Sequence, residues 1–166
     1  MTNYQIRKST YDDIDRMLEI YEDARAFMET SGNPNQWIGG YPERALLIQD
    51  IENSNSYVCV EGSLIVGTFY YEDGEEPTYK EIYEGQWLDD KPYGVVHRIA
   101  SARDTKGVGE FCLNWCYDQL QNVRIDTHRD NIPMQRLLTK LGYKICGIIY
   151  VEDGSERIAF QKTPGE

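Results

Sequence analysis

The sequence predicts one α/β (α+β) domain over residues 1–166. Three observations predict it. Segments with strand period and helix period follow one another in the order β-α-α-β-β-β-α-β-α-β-β. Clusters of Gly, Pro, Asn and Asp separate them. The length of 166 residues, with 40% apolar and 27% charged residues, fits one globular unit with a sizeable core.

The first strand is "YQIRK" (4–8), which alternates weakly. Ser9-Thr10 followed by Asp12 and Asp13 is a helix-start signature. Behind it, Ile14, Met17, Leu18, Tyr21, Ala24 and Met28 recur at three- and four-residue spacing, a helix with one buried face. A loop dense in Gly, Pro and Asn (30–42) ends it, and a second helix is expected over 43–52. "SYVCVEGSLIVGTFYY" reads as two strands around a tight Glu61-Gly62-Ser63 turn. Residues 72–92 form an acidic and aromatic insert. "YGVVHRIA" is the next strand, and a helix with Val108, Phe111, Cys112 and Trp115 on one face follows a glycine turn. "VRIDTH" (123–128) is a strand. Asp130 or Asn131 can cap a helix running to Lys140, with Pro133 tolerated in its first turn and Gly142 as its stop. Two last strands, "YKICGIIYV" and "ERIAFQK", meet at a Glu152-Asp153-Gly154-Ser155 turn.

Net charge is −11. With no surplus of Lys and Arg to displace counterions, a nucleic-acid partner or an anionic membrane surface is not expected, while a cationic substrate is compatible. No C-x-x-C pair occurs among Cys59, Cys112, Cys116 and Cys146, so neither a zinc ribbon nor a redox motif is expected, no metal is called for, and the thiols read as small core residues. The first residues carry no hydrophobic run and no apolar stretch reaches spanning length, so a cytoplasmic protein is expected.

Gly107-Val108-Gly109 lies where a strand ends and a helix begins. Such a helix start presents unpaired N–H groups and partial positive charge, and glycine lets ligand oxygens approach the backbone. It therefore reads either as a phosphate cradle, with Lys106 beside it, or as a plain tight turn. It is neither G-x-G-x-x-G nor a Walker loop.

The two segments "HRIASARDTKGVGEFCLNW" and "RDNIPMQRLLTKLGY", in that order, resemble the acetyl-CoA motif and the following motif of the GNAT superfamily of acetyl-CoA-dependent N-acetyltransferases. The resemblance implies a single GNAT-like domain with a mixed, mostly antiparallel sheet of about seven strands flanked by about four helices, and acetyl-CoA as cofactor. It implies that backbone N–H groups of 104–109, with Lys106, Gly107, Val108 and Gly109, hold the pyrophosphate. Ile99 and Ser101 flank the pantetheine arm, and Asn131 lies near the cofactor's far arm. A homodimer through the late strands is an assembly the family uses. Two positions depart from the pattern. Asp104 stands where Gln or Arg is usual, and Leu138 stands where many members carry a Tyr that protonates the departing thiolate.

Acetyl transfer to an amine needs a base, polarisation of the thioester carbonyl and an acid for the leaving group. Period-2 alternation places Tyr93, Val95, His97 and Ile99 on one face, making His97 the candidate base, with Arg98 on the other face; the candidate acids are Tyr93, Tyr150 and Cys146. A buried His bonded to the sheet is the alternative reading. The acceptor pocket implied by the resemblance draws Gln36, Trp37 and Tyr41 from the first loop and Tyr83 and Trp87 from the insert, with Glu81 and Glu84 placed to meet a cation. Loop packing and a solvated acidic face are the alternative. The expected function is acetyl transfer to a primary amine of a small molecule. A catalytically weak CoA-binding module and a plain interaction domain are the competing readings.

Overall fold

The computed structural model describes residues 3–164. Every strand and helix expected from the sequence is present, in the same order. They are β1 (Tyr4–Lys8), α1 (Ile14–Thr30), α2 (Arg44–Glu52), β2 (Ser56–Glu61), β3 (Leu64–Asp73), β4 (Gly94–Ser101), α3 (Val108–Leu120), β5 (Val123–Thr127), α4 (Ile132–Lys140), β6 (Lys144–Tyr150) and β7 (Glu156–Lys162). Short 3-10 turns lie at Tyr11–Asp13 and Pro77–Tyr79. The strands form a seven-stranded sheet in the order β1-β2-β3-β4-β5-β7-β6. The β1–β2, β2–β3, β5–β7 and β6–β7 pairs are antiparallel, and β4–β5 is parallel. This is the mixed, mostly antiparallel sheet with four helices that the resemblance implied.

Local chemistry explains the boundaries. The Thr10 N–H donates to the Asp13 carboxylate at 2.8 Å, so the cap signal starts the 3-10 turn that leads into α1. Asn131 caps α4 by accepting from the Met134 N–H at 3.1 Å. At the other end of α4, Gly142 adopts φ +95°. Its N–H donates to the Thr139 carbonyl and that of Tyr143 to the Leu138 carbonyl, the bond pair of a glycine-terminated helix. In α3 the buried stripe is Val108, Cys112, Leu113 and Cys116 rather than the expected set, because Phe111 and Trp115 are only half-buried. All four cysteines are reduced and buried, as expected of small core residues.

The chain divides into two compact units, Met1–Tyr71 with His97–Trp115, and Glu72–Val96 with Cys116–Glu166. The first has a core of Met17, Ile20, Tyr21, Leu47, Val58 and Ala100, among others. The second packs Tyr79, Val95, Ile149 and Ala159, with Ile82, Trp87 and Tyr93 against them. The insert is thus built into the second unit's core. Tyr83 exchanges both backbone hydrogen bonds with Ile148 of β6 at 2.8 Å. Gly85 and Gly147 are needed for that approach. A Cβ on Gly85 would lie 1.9 Å from the Cys146 carbonyl oxygen, and one on Gly147 would lie 2.5 Å from that of Tyr83. No helix among the described residues is long and apolar enough to cross a membrane.

Candidate active site

In the first unit the site grows from the end of β4. Arg98 has φ +51° in the middle of this strand, a left-handed conformation that a long side chain rarely takes. The expected alternation is therefore interrupted at Arg98, and the face of Ile99 does not follow from that of His97. The surroundings hold Arg98 in place. Its guanidinium binds both Asp50 carboxylate oxygens of α2, Nε to one at 3.0 Å and Nη2 to the other at 2.9 Å. The two side chains are only 10% and 7% exposed. Nη1 donates to the Tyr41 hydroxyl at 3.0 Å, the guanidinium lies 4.7 Å from the Tyr70 ring centre, and the Arg98 carbonyl accepts from the Tyr21 hydroxyl at 2.7 Å. Burial raises the Asp50 carboxyl above its ordinary value, and the Arg98 charge pulls it back.

This network gathers several residues singled out from the sequence. The His97 ring lies 5.3 Å from that of Tyr70. The Trp37 ring stands edge-on to Tyr21 at 5.7 Å and to Tyr41 at 6.1 Å. Gln36 accepts from the Asn33 amide at 2.9 Å, and Arg25 donates to the Tyr41 carbonyl at 3.1 Å. Trp37 and Tyr41 thus belong to one hydrogen-bonded and aromatic assembly with the strand that carries His97, while Gln36 bonds Asn33 within the loop. Sequence reasoning missed the anchor of that assembly, the Asp50–Arg98 pair. Asp50 sits on a helix whose pattern is otherwise ordinary, and nothing local links it to a residue 48 positions away.

Past β4, residues 102–107 form a polar turn that enters α3. Ile99 is half-buried, and Ser101, Asp104, Lys106 and Gly107 are exposed. Asp104 (φ +62°) and Gly107 (φ +73°) are both left-handed. Asp104 departs from the family pattern, and its conformation is one that a short carboxylate adopts more readily than Gln or Arg. A Cβ built on Gly107 would meet nothing within 4 Å, so the backbone there is open to a ligand. The first intrahelical bond runs from the Phe111 N–H to the Gly107 carbonyl at 3.0 Å, which leaves the N–H groups of the preceding turn without helical acceptors. Val108 is buried, and Gly67 of β3 makes room for it, because a Cβ on Gly67 would lie 2.5 Å from the Val108 side chain. An open glycine, N–H groups without helical acceptors at the start of α3 and an exposed lysine fit the pyrophosphate of CoA. They are the groups that would hold it.

In the second unit the singled-out residues are engaged within their own unit. The Tyr93 hydroxyl accepts from the Glu76 N–H at 3.1 Å. Arg124 is sandwiched with its guanidinium 4.0 Å from the Tyr93 ring and 4.2 Å from that of Trp87. Trp87 Nε1 donates to the Tyr79 carbonyl at 2.9 Å. Tyr83 is exposed, stacks edge-on to Tyr150 at 5.4 Å and donates its hydroxyl to Glu81. Asn131 is the helix cap described above. His128 accepts from the Asp130 N–H through Nδ1, and burial together with Arg157 pushes its imidazole below the ordinary value, so it serves as a neutral turn residue. Leu138 is fully buried, in keeping with the absent phenol.

An acetyltransferase of the GNAT family from Streptococcus agalactiae 2603 is 34% identical, with 98% of this chain and 96% of that chain covered and a TM-score of 0.89. A Staphylococcus aureus Mu50 protein shares the fold at 23% identity, covering 96% and 98%, with a TM-score of 0.72. A Listeria monocytogenes 4b F2365 acetyltransferase of the GNAT family does so at 16%, covering 97% and 95%, with a TM-score of 0.71. No family model and no curated protein matches the chain. The first of these structures spans nearly the whole of both chains at an identity well above that of shared fold alone. Together with the strand, turn and helix at 94–120, it shows that this chain belongs to the GNAT family of N-acetyltransferases.

Proposed function

We propose that this enzyme moves an acetyl group from acetyl-CoA directly to a primary amine of a small molecule. The observation that carries the reading is the first unit's continuous path from His97, through the strained Arg98, to the open glycine turn at the start of α3. Acetyl-CoA, when bound, supplies the acetyl group as an activated thioester. Backbone N–H groups of 104–109, with Lys106, hold the pyrophosphate, while Ile99 and Ser101 flank the pantetheine arm through their main chains. Gln36, Trp37 and Tyr41 receive the acceptor, because aromatic walls with a few fixed polar groups suit a small ligand. His97 takes a proton from the attacking nitrogen.

The test is a panel of primary amines with millimolar acetyl-CoA, following release of free thiol, together with thermal unfolding with and without acetyl-CoA. Saturating ligand is expected to raise Tm, by about 2.7 kcal/mol of linkage at 100 times Kd. At least one amine should release thiol. His97→Ala should lower kcat about 100-fold or more while leaving the acetyl-CoA shift intact. A shift without turnover of any amine favours the CoA-binding module that Leu138 hints at. No shift at all removes the reading.

A further inference from the structure

β1 lies far from the glycine turn in sequence, yet one of its side chains touches it. The Tyr4 hydroxyl donates to the Lys106 carbonyl oxygen at 2.7 Å across 102 residues. Tyr4 is 9% exposed, and its ring stands edge-on to Phe111 in the first turns of α3 at 5.6 Å. Phe111 in turn donates its N–H to the Gly107 carbonyl. Both contacts of Tyr4 therefore bracket Gly107.

Peptide geometry gives these contacts a consequence. In a trans peptide the carbonyl and the following N–H point in opposite directions. Fixing the Lys106 carbonyl on Tyr4 turns the Gly107 N–H away from β1. Gly107 alone does not determine this, because a glycine moves readily between conformations, and nothing lies within 4 Å of its Cβ position to restrain it. The tyrosine supplies the restraint that the glycine lacks.

We propose that Tyr4 is a positioning residue for the cofactor: its hydroxyl holds the Lys106–Gly107 peptide so that the Gly107 N–H is presented to the pyrophosphate of CoA. This rests on the cofactor site proposed above. Tyr4 touches no substrate, and its effect passes through the Lys106 carbonyl.

Tyr4→Phe removes the donor and keeps the ring against Phe111. Calorimetric titration with CoA is expected to show about 3- to 10-fold weaker binding, the range for loss of one preorganising hydrogen bond. Titration with S-acetylpantetheine, which lacks the pyrophosphate, should show no change between wild type and variant. In the wild-type amide spectrum the Gly107 resonance should move on CoA addition, and in Tyr4→Phe that movement should shrink. Equal CoA affinity in the two proteins overturns the proposal, as does an equal loss for the pantetheine ligand, which would mark general loosening. An unmoved wild-type Gly107 resonance also overturns it, even if the variant does not fold. Failure of wild type to bind CoA at all overturns the cofactor site itself, and the wild-type titration alone separates that outcome from the others.

Discussion

Arg98 and Tyr143 are two buried polar side chains in opposite situations. Arg98 uses its guanidinium fully, on both Asp50 oxygens, the Tyr41 hydroxyl and the Tyr70 face. A buried pair of this kind adds little beyond an apolar isostere, but breaking one half leaves a charge without water or partner. Asp50→Ala should therefore destabilise the protein by roughly 3–5 kcal/mol in chemical denaturation. A loss below 1 kcal/mol would show that the pair is not held as described. Tyr143 is 4% exposed, and its hydroxyl has no hydrogen-bond partner among the described residues. Burial raises this phenol's pKa, so the group stays neutral and unsatisfied. Leaving such a donor buried costs about 1–3 kcal/mol, so Tyr143→Phe is expected to keep or raise stability. A clear drop in Tm for that variant would mean that the hydroxyl has a partner.

At the scale of elements, the start of α1 has the clearest pH signature. Asp13 is bound by Arg7 through two hydrogen bonds at 2.8 and 3.0 Å and accepts from the Thr10 N–H. The Arg7 bonds hold its carboxyl below the ordinary range, with burial opposing them. A depressed native value means that the unfolded chain binds this proton more readily. The stabilisation is thus fully present above about pH 4, the unfolded value, and is lost as pH falls through the native one. Urea unfolding of wild type and Asp13→Asn should differ clearly at neutral pH and converge in acid. A difference that does not depend on pH would refute the ionic part of this cap. The strand β4 shows the opposite kind of element, one whose shape its own residues do not favour. Its left-handed Arg98 exists because α1, α2, β3 and the 31–42 loop each contribute a contact.

For the whole molecule, the order of all strands and helices was legible in the sequence. Hydrophobic periods of 2 and 3.6 and punctuation by Gly, Pro, Asn and Asp are local properties, readable without the fold. Gly142 and Asn131 were read as helix ends and are so used. The turn at Gly107-Val108-Gly109 could be located but not interpreted from its own residues, and the second motif at 129–143 tipped its reading. Three things were not legible: the Asp50–Arg98 anchor, the break in β4 alternation at Arg98, and the Tyr4 contact with Lys106. Each joins residues far apart in sequence. The aromatics around Arg124 were equally opaque, because Trp87 of the insert and Tyr93 beside it make the same sequence signal whether they serve a site or clasp Arg124.

The element order, the acidic charge and the residue types available for proton transfer and anion binding follow from composition and from neighbours along the chain. Which of those residues meet is a property of the folded chain. Folding bent β4 at Arg98 by an ion pair from α2, tied Tyr41 to that bend, and turned the Gly107 peptide by a hydroxyl from β1. The physical reason is that a hydrogen bond acts over about 3 Å and is blind to sequence separation, so its partners exist only once the chain has folded.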